Sequence, residues 1–84
     1  MKDLNQYVAR KNEWNAMFNG DQYNLNSAID RQRIADALDA DLSPENLTCD
    51  GELPRAQVIA RKKFLDKAVA QLVAFDPSIK LYVY

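Results

Sequence analysis

The stretch between Leu53-Pro54 and Asp76-Pro77 limits this chain more than any other feature of it. No glycine or proline interrupts residues 55–75. Val58, Leu65, Ala68, Val69, Leu72, Val73 and Phe75, with Phe64 at the margin, recur there at helical spacing. Their arc covers about half of the helix circumference, wider than the stripe of a helix that lies on one surface. A helix over 54–75 with such an arc needs neighbours on two sides and is the predicted centre of the domain.

Two other segments supply those neighbours. Leu4, Tyr7, Val8, Trp14 and Phe18 share a face over residues 3–18, and Asn19-Gly20-Asp21 stops that helix. The aromatic stripe Tyr7, Trp14 and Phe18 is expected to be core. Ser27, with Asp30 three residues on, resembles a capping box and opens a helix over 27–40, with Ala28, Ile34, Ala35, Leu38 and Leu42 on one face. Arg31 falls inside that stripe, so its stem is expected on apolar surface and its head in water. Ser43-Pro44-Glu45 repeats the start signal for one turn at 44–48, ended by Asp50-Gly51. The predicted fold is all-α: one small three-helix domain over residues 1–84, with a short fourth helical turn and an extended C-terminal tail at 78–84. Leu65, Val69 and Leu72 should sit at its centre, with Trp14 and Leu38 against them.

The tail changes period. Ile79, Leu81 and Val83 alternate with Lys80, Tyr82 and Tyr84, a strand-like pattern in a chain that offers no other strand. Its backbone groups need partners. Strand addition to another chain is one source of them, which makes Ile79, Leu81, Tyr82, Val83 and Tyr84 candidate partner-binding residues. Folding back, with Ile79, Leu81 and Val83 covering the helices, is the other.

The residue inventory argues against chemistry. In 84 residues there is no histidine, the usual general base, and Cys49 is the only cysteine, so no disulfide forms within the chain. No catalytic residue, cofactor or metal site is expected, and Cys49 is expected to be a buried or half-buried thiol. Asp39-x-Asp41-x-Ser43 imitates the start of a calcium loop, with Glu45 and Asp50 in register. Pro44 stands where that loop needs glycine, and Asp50 where it needs a bidentate glutamate. Met1 is followed by Lys2, Asp3 and Leu4 with no apolar run, and no stretch approaches the ~18 apolar residues of a membrane span. A cytoplasmic, membrane-free location is the expectation.

The net charge is −1, unevenly spread. Residues 21–53 carry Asp21, Asp30, Asp36, Asp39, Asp41, Glu45, Asp50 and Glu52 against Arg31 and Arg33. Residues 54–84 carry Arg55, Arg61, Lys62, Lys63, Lys67 and Lys80 against Asp66 and Asp76. The acidic middle and the basic third helix are expected to face each other. Residues 33–47 loosely resemble the helix-turn-helix of bacterial repressors, but the second segment carries acids and no base, which would repel phosphates. Arg61, Lys62, Lys63 and Lys67 are the alternative nucleic-acid contacts, although Arg61 and Lys63 point nearly opposite ways on a helix. The function expected from these features is a non-enzymatic protein-binding module: a small adaptor, inhibitor or regulatory accessory protein. Its partner would be another protein or a second copy of itself in a homodimer. Nucleic-acid binding through the basic third helix or a degenerate helix-turn-helix at 33–47 is the alternative.

Overall fold

Local signals in the sequence start and stop each helix close to the expected places. The structure, a computed structural model, describes residues 1–18 and 20–82. Helix α1 spans Lys2–Phe18, α2 Ala28–Leu42, α3 Pro44–Leu47 and α4 Arg55–Phe75. The chain is therefore a small all-α domain, with three long helices, one short turn and an extended tail.

Gly20 closes α1 from a backbone φ of +76°, the left-handed region glycine enters without penalty, and its N–H donates to Asn15 O at 2.6 Å. Ser27 caps α2, its Oγ accepting from Asp30 N at 3.4 Å. Only half of the expected capping box forms, because the Asp30 carboxylate accepts from Asn24 N instead. Ser43 does not cap α3: its hydroxyl turns back and donates to Ala40 O at 2.8 Å, closing α2. Asp76 N–H ends α4 by donating to Leu72 O at 2.8 Å.

Burial draws one core from all four helices. Leu4, Tyr7 and Val8 come from α1, Ile34, Ala35 and Leu38 from α2, Leu47 from α3, and Leu65, Ala68 and Leu72 from α4. Leu38 and Leu72 are fully buried, whereas Val69 is half-buried at the cluster's edge. Trp14 and Phe18 overturn the expectation of an aromatic core stripe: they are 60% and 66% exposed. Both are in phase with Tyr7, but the buried residues of α1 end at Val8, so the helix outlasts the layer that covers it.

Helices α1 and α4 run antiparallel. Near the start of α1, Leu4 N donates to Gln71 Oε1 at 2.9 Å and Gln71 Nε2 donates to Asp3 Oδ2 at 2.9 Å. Further along, Arg10 lies over the Phe64 ring. The pair is laced at the end where α1 begins.

The tail is bound by α2. Asp76 accepts from Ser78 N and Ser78 Oγ and pairs with Arg31 Nε of α2 at 2.7 Å. Arg31 thus departs from the expected water-facing head: its guanidinium also donates to Leu25 O and stacks over Phe75. Lys80 N donates to Gln32 Oε1 at 3.1 Å while Gln32 Nε2 donates to Lys80 O at 2.8 Å. Tyr82 N donates to the buried Asp39 carboxylate at 2.7 Å. The alternation of the tail is real, but α2 side chains read it in place of a second strand. Ile79 and Leu81 pack on the core, and no strand forms among the described residues.

Candidate functional site

Opposite the laced end, the second half of α1 and the first half of α4 leave a groove of about 480 Å³. Its walls are aromatic and cationic: Tyr7, Trp14 and Phe64 with Arg10, Lys11 and Arg61. Asp41 of α2 lies at its edge, and Leu53 and Leu65 add apolar surface. The helical repeat produces the arrangement. Arg10 follows Tyr7 by three residues and precedes Trp14 by four, and Arg61 precedes Leu65 by four, so each base projects beside the apolar stripe of its own helix.

The charges in the groove are unevenly matched. Asp41 pairs with Lys11 Nζ at 3.0 Å and accepts from the Tyr7 hydroxyl at 2.7 Å. Burial first, and then the bond to Asp41, push the Tyr7 hydroxyl far above the usual tyrosine range, so it stays protonated and donating. Lys11 also sits 5.6 Å from the Tyr7 ring centroid, which completes a closed triad. Neither arginine shares in it. Arg10 stacks over Phe64 at 5.2 Å and has no acidic partner among the described residues. Arg61 has no hydrogen-bond or ion-pair partner among them either, and its Nε is a buried donor left unsatisfied. Buried polar atoms are nearly always paired, and leaving one unmade costs about 1–3 kcal/mol.

An exposed apolar patch continues the groove along α1. The Trp14 and Phe18 rings pack 4.6 Å apart between centroids, and Met17 is 75% exposed one turn from Trp14. Clusters of tryptophan, phenylalanine and methionine with arginine nearby are the composition of protein-binding surfaces.

The residues singled out from sequence fall in three places. Arg61 joins the groove, whereas Lys62, Lys63 and Lys67 lie together with Ile59 on another face of α4. Helix α4 packs against α2 and α3 as expected, but among the described residues no ion pair joins its bases to the acids of the middle. Lys62 pairs with Asp66 of its own helix at 2.7 Å, and Lys63 and Lys67 have no acidic partner among the described residues. The acids of the middle are answered elsewhere, Asp41 by Lys11 and Asp30 by Arg33. Of the tail residues, Ile79 and Leu81 are half-buried and Tyr82 keeps an exposed side chain, while Val83 and Tyr84 lie outside the described residues. Cys49 is exposed, contrary to expectation, because the chain turns through left-handed conformations at Cys49, Asp50 and Gly51 after α3.

Asp39 and Asp41, which imitate calcium ligands in sequence, serve different neighbours: Tyr82 N–H for the first, Tyr7 and Lys11 for the second. Among the described residues, no three histidine, cysteine or acidic side chains gather where they could hold a metal ion. No helix among them is long and apolar enough to cross a membrane. Arg10 is the groove residue that periodicity passed over. The signal was present at Arg61, a charged side chain in phase with Leu65, Ala68 and Leu72.

No protein-family model, curated protein or solved structure matches the chain.

Proposed function

We propose that this chain is a cytoplasmic, non-enzymatic protein-binding module that docks its partner across the open ends of α1 and α4. The observation that carries this reading is the pair Trp14 and Phe18, tilted against each other and 60% and 66% exposed. Ring surface of that size is a large hydrophobic contribution to leave in water, and a partner would remove it. The 480 Å³ groove beside it gives the partner a recess for an anchoring side chain. The described part of the tail supports the reading less well, because α2 already holds the amide groups of Lys80 and Tyr82.

Nucleic-acid binding keeps one observation in its favour, the cationic face of Lys63 and Lys67. Arg61 is separated from that face, however. The α3 segment is four residues, roughly 6 Å of helix, with Glu45 and no base, which is short for a recognition helix.

The test is the double substitution Trp14→Ala and Phe18→Ala. Both side chains are exposed, so the variant should fold and melt within a few degrees of the parent. A partner retrieved by the parent chain, or a second copy detected by light scattering, should be lost from the variant. Retention of that partner, together with loss on replacing Lys63 and Lys67 by Gln, would transfer the function to the cationic face of α4.

A further inference from the structure

We infer that the α1–α4 groove receives an acidic segment of a partner protein, with a carboxylate held by Arg61 and Arg10 and an apolar side chain seated against Trp14. This rests on the docking reading above and names the chemistry of the occupant. Charge complementarity carries it. Lys11 is neutralised by Asp41, so the groove keeps two unmatched guanidinium groups, at Arg10 and Arg61, and no unmatched acid. Arg61 lines the groove with no acid to pair with among the described residues, and its buried Nε is left unsatisfied by them, so the guanidinium is not tied to the domain. A carboxylate suits the position because guanidinium groups offer paired donors in the spacing of its two oxygens.

The surroundings favour a peptide over a nucleic acid. Two unmatched charges are few for a phosphate backbone, whose binding grows with each phosphate neutralised. The chain also carries the exposed acids Asp36, Glu45, Asp50 and Glu52, which repel a polyanion. Trp14, Met17 and Phe18 beside the groove provide apolar contact that suits the hydrophobic face of an amphipathic helix.

Trp14 is the only tryptophan and lines the groove, so its fluorescence reports occupancy directly. The probes are a short amphipathic peptide bearing two glutamates beside a leucine–phenylalanine face, its twin with both glutamates changed to glutamine, and a single-stranded oligonucleotide of equal charge. The acidic peptide should shift Trp14 emission saturably and bind about tenfold or more tighter than its twin. In the Arg61→Gln chain, with helicity unchanged by circular dichroism, the two peptides should bind alike. Arg10→Gln should narrow the difference without abolishing it.

Equal binding of both peptides to the parent chain would overturn the inference and leave the docking reading intact. Tighter binding of the oligonucleotide, abolished by Arg61→Gln, would overturn it in favour of a nucleic acid. If neither peptide moves Trp14 emission, the inference also fails. The Trp14→Ala and Phe18→Ala capture experiment then shows whether the docking reading has failed with it.

Discussion

The two sides of α4 solve the same problem in opposite ways. Where the tail crosses α2, its backbone is held by side chains of that helix. Gln32 holds both backbone groups of Lys80, Asp39 takes Tyr82 N–H, and Arg31 bridges Asp76, Leu25 O and the Phe75 ring. At the open end, two arginines have no acidic partner among the described residues, one of them with a buried N–H unmet, and a tilted aromatic pair is largely exposed. A domain of 84 residues has little stability to spare, so an unmatched region of this kind is a cost that function explains better than folding does. The strapped side holds the domain together, and the open end carries the surface proposed for docking.

Substitutions on each side should separate these roles. The largest effect belongs to the core that both sides share: Leu72→Ala should destabilise by about 2–5 kcal/mol in chemical denaturation, enough to unfold much of the population. On the strapped side, Asp39→Ala leaves Tyr82 N–H without its acceptor and should cost about 1–3 kcal/mol. Amide exchange at Tyr82 should accelerate with it, and an unchanged rate would show that the strap is not held there.

Asp76 sharpens the contrast through pH. Hydrogen bonds from Ser78, and then from Arg31, hold its carboxyl below the ordinary carboxylate value. A depressed folded-state pKa stabilises the protein above the unfolded value, near pH ~4, and that contribution is lost as pH falls through the folded value. The melting temperatures of the parent and Asp76→Asn should therefore differ at neutral pH and converge in acid. A gap that stays constant through that range would remove Asp76 from the strap. The smallest effect is expected at the open end, where Trp14→Ala should change stability by no more than about 0.5 kcal/mol.

The helices and most of the core were legible because they follow from period and punctuation. Leu4, Tyr7, Val8, Ile34, Leu38, Leu65 and Leu72 sit on the stripes that spacing marks. Trp14 and Phe18 show the limit of that logic. Phase tells which face of α1 is apolar, but how far along the helix a covering layer extends depends on where α4 diverges, and local pattern carries nothing about that. The tail shows another limit. Its alternation was visible, but its partner was a glutamine and an aspartate on a helix. Gln71 and Asn12 act in the same way, holding Leu4 N and the two backbone groups of Tyr23. Side-chain amides that stand in for a neighbouring strand have no periodic signature. Half of the candidate site could have been found, since Arg61 lies in phase with the buried stripe of α4. The other half required the antiparallel register that brings Arg10 across to Phe64.

The central claim is that the open end is unsatisfied in the free protein, and the thermal stability of Arg61→Met tests it most directly. Methionine keeps an unbranched apolar stem in the groove and removes the buried N–H that has no acceptor. The variant should be at least as stable as the parent, with a gain on the order of 1 kcal/mol, whereas removing the Asp39 carboxylate destabilises. A loss of more than about 1 kcal/mol on Arg61→Met would show that the guanidinium is already satisfied within the domain, and the distinction between a strapped side and an open one would fall with it.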